Sequence, residues 1–229
     1  MSTLTTFENL FDNRVRDAAS RFTTQQKDDA IGEAVKLYSQ VRPVEAVQDY
    51  AGDGSAYDFA LPTGWVPKLS TITQIEYPAG EREPETLERE DWQYYRTTSA
   101  VKIRLRHITP ATGKTMRVTF TKPHTVDGSG SSIPSVDEEA VANLAGAIGL
   151  RQLAAVYANS TDPTIAADSV NYRTKSQEYS ALAKELEGRY RVHLGLDKES
   201  EAPAASTFID VDQDSTLGQD KLTHPNRYR

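Results

Sequence analysis

The sequence predicts an α+β protein: a helical bundle of two N-terminal and two longer C-terminal helices, an inserted antiparallel β domain, and an extended C-terminal tail. Three observations predict it. Apolar residues recur at three- and four-residue steps towards both ends, the period changes to two between Val44 and His124, and periodicity disappears after Leu196.

Leu4, Phe7, Phe11, Val15, Ala18 and Phe22 fall on one face of a first amphipathic helix, and Ile31, Ala34, Val35, Tyr38 and Val41 on one face of a second. Thr23 and Thr24 are suited to cap the second, and Pro43 ends it. The segments AVQDYA, AYDFALP, STITQIEYP, VKIRLRHI and TMRVTFTKPH are rich in β-branched and aromatic residues, with Asp-Gly, Pro-Thr-Gly and Thr-Gly-Lys turns among them. In VKIRLRHI, Val101, Ile103 and Leu105 alternate with Lys102, Arg104 and Arg106, the signature of a strand with one wet face. GEREPETLEREDW between two strands predicts an exposed acidic loop that closes on Trp92. Trp65, beside the Leu61-Pro62 turn, and Trp92 are the expected anchors of the β insert, because a large aromatic beside a strand turn usually packs to hold it.

DGSGSSIP has the composition of a flexible linker. After it, Ser135 and Glu138 have the spacing of a capping box, and Val141, Leu144, Ile148, Leu153 and Tyr157 supply a buried stripe. Asp162-Pro163 signals another helix start, and Tyr179, Leu182, Ala183, Leu186, Tyr190 and Leu194 carry the last helix to Gly195. The expected organisation is 1–43 for the first helices, 44–126 for the β insert, 127–134 for the linker, 135–195 for the later helices and 196–229 for the tail. The tail is too polar to order itself, apart from Phe208, Ile209 and Val211 and the terminal Arg227, Tyr228 and Arg229.

A net charge of -7 disfavours a surface that grips nucleic-acid phosphates, and the absence of cysteine excludes disulfides and thiolate sites. Nothing is apolar and long enough to span a bilayer, so a soluble chain made in the cytoplasm is expected. TGKT lacks the glycine five residues before Gly113 that a phosphate loop requires, since Ile108 stands there. In DVDQDS, Asp210, Asp212 and Asp214 occupy calcium-loop positions, but Ser215 replaces the turn glycine and Lys221 stands where the glutamate belongs. The four histidines have no short metal spacing, and the acid pairs Asp28-Asp29 and Glu138-Glu139 suit helix starts. Tyr94-Tyr95 would need a basic groove to stack nucleic-acid bases. No catalytic, metal or cofactor site is predicted, and a non-enzymatic role is expected.

AIGEAVKLYSQVRP, YDFALPTGWVPKLSTITQIEYPAG, WQYYRT and the stretch from Asp137 to Gly195 together resemble the head-to-tail adaptor (connector, head-completion) proteins of tailed bacteriophages. The resemblance covers about Asp28 to Gly195. It implies a homo-oligomeric ring, with twelve the expected number, beneath the portal protein in the virion neck. Such a ring extends the DNA channel, lets DNA pass without specific binding, and offers a platform to the next tail or neck protein. It implies no membrane partner. Ring adaptors of this kind reach their portal with a terminal segment, which points to Phe208, Ile209, Val211, Arg227, Tyr228 and Arg229 as portal-binding residues. A tail terminator or other neck protein is the alternative within the same particle. A phage-encoded soluble enzyme or nucleic-acid-handling factor is the alternative of another class.

Overall fold

The computed structural model describes residues 2–16, 22–82, 85–158 and 175–196. Helices α1 (Leu4–Val15) and α2 (Thr24–Val41) precede six strands, and α3 (Glu138–Ala158) and α4 (Lys175–Leu194) follow them. The fold is therefore α+β with the expected element order.

The N-terminal stripe is not one continuous helix to Phe22. Arg16 adopts a left-handed conformation (φ 46°) and its N–H closes on the Asp12 carbonyl, which stops α1 at Val15. Phe22 nevertheless packs edge-on to Phe11, ring centroids 5.4 Å apart. Helix α2 begins as expected: the Thr23 hydroxyl accepts from the Gln26 N–H at 3.3 Å while the Gln26 side chain accepts from the Thr23 N–H at 3.0 Å.

Helix α3 departs from the one-stripe expectation. From Ala140 to Leu150 every residue except Asn143 is buried, because Ala140, Ala142, Ala145, Gly146, Ala147 and Gly149 fill the positions between the large side chains. A helix buried all round is a central helix, and α1, α2 and α4 pack against it. In α4, Ala183, Tyr190 and Leu194 are buried, whereas Leu182 stands 47% exposed instead of joining the core stripe. Helix α3 starts at Glu138, so Ser135 lies too early to cap it. Asp137 is the residue whose carbonyl accepts the first helical N–H, from Val141 at 3.0 Å.

The insert comprises β1 (Val44–Ala51), β2 (Asp58–Ala60), β3 (Ile72–Glu76), β4 (Trp92–Arg96), β5 (Val101–Leu105) and β6 (Thr115–Lys122). They form two antiparallel three-stranded sheets, ordered β1-β6-β3 and β2-β5-β4. Phe59, Ile75, Trp92, Ile103, Leu105, Met116 and Val118 from both sheets share one core, making a small sandwich with two outward faces. Val44 pairs directly with Lys122, so the chain leaves and re-enters the bundle at adjacent points. An insert whose ends touch can be accommodated between α2 and α3 without parting them.

Composition alone misjudges 127–134. Val126 bridges Ser131, the Asp127 carboxylate accepts from the N–H groups of Ser129 and Gly130 (2.7 and 2.9 Å), and Ile133 is buried in the helical core. Asx-turn chemistry and one apolar anchor fasten a glycine- and serine-rich segment here.

Candidate functional site

The most connected polar group among the described residues is Asp137, whose side chain is 4% exposed. Its carboxylate accepts hydrogen bonds from Tyr38 Oη at 2.5 Å, from Arg42 Nη1 at 3.0 Å and from His193 Nε2 at 2.8 Å. Tyr38 and Arg42 come from the last turn of α2 and its end, His193 from the last turn of α4, and Asp137 from the start of α3. One carboxylate thus ties three helix ends. Burial pushes the Asp137 carboxyl up, but the hydrogen bonds from Tyr38, His193 and Arg42 and the Arg42 charge outweigh it, so it is held below the ordinary aspartate range. The Tyr38 hydroxyl is driven far up by burial and by its bond to Asp137.

His124, just after β6, extends this hub to the β insert. Its ring lies 4.9 Å from that of Tyr38, and its backbone N–H donates to Ser39 Oγ at 2.9 Å. Nε2 lies 2.9 Å from the Arg42 carbonyl, which can only accept, so this nitrogen carries the proton and Nδ1 faces Ser132 Oγ at 3.1 Å. Burial lowers the His124 pKa despite the hydrogen bonds that favour its charged form. The unfolded chain therefore takes up this proton more readily than the folded one. Stability is unaffected by this group above the ordinary histidine value near 6.5 and falls as the pH drops below it, by no more than about 1.4 kcal/mol per pH unit. Thermal unfolding of the native chain between pH 7.5 and 5.5 is expected to show this decline, and His124→Gln to flatten it; an unchanged slope in the variant would assign the decline elsewhere.

The hub is built for holding. Both Asp137 oxygens are engaged, and a cleft of about 520 Å³ at the α2–insert junction is lined by Lys36, Ser39, Val66, Leu69 and three prolines, with neither Asp137 nor His193 in its wall. Among the described residues no group of three or more His, Asp or Glu is placed to hold a metal ion. Gly113 (φ 81°) and Lys114 form the turn into β6, and Lys114 pairs with Glu81 at 2.9 Å, so TGKT is a strand-connecting turn.

Trp92 opens β4 and is 5% exposed in the sandwich core, with the Arg89 guanidinium 3.9 Å over its ring. Trp65 is half-buried, stacked 6.3 Å from Phe120 and tilted by 56° against Tyr94 at 5.7 Å. Tyr94 Oη accepts from the Ile72 N–H, and the face of Tyr95 is covered by Arg104 at 3.3 Å, so neither tyrosine presents a free stacking platform. Phe208, Ile209, Val211, Arg227, Tyr228 and Arg229 lie outside the described residues, as do Asp162-Pro163 and the aspartates of DVDQDS.

Sequence reasoning missed Asp137, Tyr38, Arg42, His124 and His193 as a group. Asp137 stands 99 residues from Tyr38 and 56 from His193, and no local spacing encodes such a meeting. The only local signal was an aspartate beside a helix start, which is ordinarily a cap.

No family model matches the sequence, and no curated protein matches it. Solved structures similar to the chain include three from gene transfer agent particles. One is the neck of a native particle computed with C12 symmetry (16% identity, 78% of this chain and 91% of that chain, TM-score 0.29). A second is a native virion (14% identity, 81% and 92% covered, TM-score 0.31), and a third the neck of an empty particle computed with C6 symmetry (12% identity, 76% and 87% covered, TM-score 0.31).

Proposed function

We propose that the chain is a structural head-to-tail adaptor of a phage-like virion, assembled as a ring between portal and tail. The observation that carries this reading is architectural. The order that the sequence periodicity predicts, two helices, a β insert and two longer helices, is the order of the elements, and the Asp137 hub fastens the helix ends at the point where the insert joins. A bundle with a central helix is suited to stand beside copies of itself around a channel, while a sandwich joined at one end presents separate surfaces to neighbours. The net charge of -7 suits a channel through which DNA slides without capture. Twelve copies, a portal partner above and a neck or tail protein below complete the proposal.

The tail supplies the portal contact. Residues 196–229 span up to roughly 100 Å when extended, and Phe208, Ile209 and Val211 with Arg227, Tyr228 and Arg229 combine apolar anchors with arginines suited to portal carboxylates. Removal of residues 204–229 is expected to leave the melting temperature of the folded body nearly unchanged and to abolish co-sedimentation with portal. Negative-stain images of the full chain, alone and with portal, should contain rings. Undiminished portal binding by the truncated chain would move the contact to the body, and turnover of a substrate by a persistent monomer would replace the structural reading with an enzymatic one.

A further inference from the structure

The two outer faces of the sandwich carry opposite charge. On the β2-β5-β4 sheet, Lys102, Arg104 and Arg106 project from alternate positions of β5 and its end, against two carboxylates, Asp58 opposite Arg104 and Asp91 opposite Arg106. Their side is the outer one, because the intervening Ile103 and Leu105 are buried in the shared core. On the β1-β6-β3 sheet the outer rows are Asp49, Arg117 and Glu76 in register, then Val47, Thr119 and Gln74, with Glu45 beyond them. Met116 and Val118, which alternate with Arg117 and Thr119, are buried between the sheets. That face holds three carboxylates against one guanidinium. Because the sheets enclose one core, the basic and acidic faces look in opposite directions.

Each face also has an exposed apolar residue. Val47 is 56% exposed in the middle of the acidic face, and Tyr57 is 50% exposed beside the basic one, where Arg104 lies over the rings of Tyr95 (3.3 Å) and Tyr57 (5.3 Å). Arg104 is committed within the chain by a two-point bond to Asp58, at 2.6 and 2.7 Å. Lys102 and Arg106, whose Nη2 donates to the neutral Gln93 Oε1 at 2.8 Å, keep charges that no ion pair among the described residues offsets; these are too few cations for a duplex backbone, whose binding relies on neutralising many phosphates.

Complementary patches on opposite sides of one module are what a head-to-tail contact requires, and repetition of such a contact closes into a ring when the rotation allows. We propose that the basic face of the β insert docks on the acidic face of the insert in a second copy of this chain, so that the inserts form a continuous belt around the ring. This rests on the ring reading above and names the contact within it. Charge complementarity of this kind sets register and partner choice more than raw affinity, which suits a contact that must repeat identically around a circle.

The test uses the full chain and two sets of substitutions at outward positions. Lys102→Glu with Arg106→Glu makes both faces acidic, and Glu45→Lys with Gln74→Lys turns the acidic face basic. Neither set touches the Arg104–Asp58 or Arg117–Asp49 pairs. Sedimentation velocity over a concentration series should show each single-face variant associating at least about tenfold more weakly than the native chain, since like charges now face each other. An equimolar mixture of the two variants should restore association, because every basic face then meets an acidic one in an alternating ring. One chain carrying all four substitutions should restore it too. Recovery in the mixture cannot be explained by failure to fold. Native rings with all variants associating equally would overturn the face assignment and leave the ring reading standing. The same would follow if Lys102→Glu with Arg106→Glu reduced binding of duplex DNA and not self-association. A native chain that forms no oligomer, alone or with portal, would end both readings.

Discussion

Asp137→Ala is expected to lower the stability of the folded chain by about 3 kcal/mol, read as a shift of the urea midpoint at pH 7. The carboxylate is nearly inaccessible and receives three side-chain donors, so its removal leaves the buried Tyr38 hydroxyl and the Arg42 cation without their acceptor. Asp137→Asn, similar in shape, should be intermediate: the amide retains one acceptor oxygen, but its NH2 group confronts at least one of the donors. The sign of the pH effect follows from the depressed folded-state pKa. The charge of Asp137 stabilises fully above the ordinary aspartate value near 4 and ceases to do so as the pH falls through its lower folded-state value. Acid unfolding of the native chain should therefore contain a component below about pH 4 that Asp137→Asn lacks. Equal midpoints for the native chain and the alanine variant would mean that the hub holds nothing.

The hub also marks the limit of what was legible. The period of two in VKIRLRHI and TMRVTFTKPH placed β5 and β6, because alternation is a local property that burial of one sheet face imposes on the sequence. Thr23 and Thr24 placed the start of α2 for the same reason, since a cap is made locally, here by Thr23 with Gln26 three residues on. The pairing of β1 with β6, which brings the ends of the insert together, joins Val44 to Lys122 and has no local signal. Nor does a single strand reveal which sheet it enters, so one β domain was expected where two sheets enclose a core. Charge was misleading in another way. A total of -7 averages over an acidic and a basic face, and only the strand register separates them.

The same averaging hid the packing of α3, and a pair of identical substitutions separates its two contributions. Glycine in a helix costs up to about 1 kcal/mol relative to alanine, so Gly→Ala should stabilise wherever the added methyl has room. At Gly32 in α2 nothing lies within 4 Å of the new Cβ, and Gly32→Ala is expected to raise the melting temperature by a few degrees. At Gly149 the new Cβ would stand 2.5 Å from Phe11 Cζ and 2.8 Å from Cε2. The Phe11 ring is fully buried and wedged edge-on against Phe22, so it cannot swing into solvent. Relief requires α1 to move away from α3, which opens the core that Phe7, Phe11 and Val15 fill. Overpacking of that kind costs about 1–3 kcal/mol, more than the helical gain, so Gly149→Ala should lower the melting temperature while Gly32→Ala raises it. Phe11→Leu in the Gly149→Ala background should recover part of the loss, because a smaller side chain removes the atoms that clash. If Gly149→Ala instead stabilises as Gly32→Ala does, α1 is not seated on α3 through this contact, and the central position of α3 in the bundle would have to rest on α2 and α4 alone.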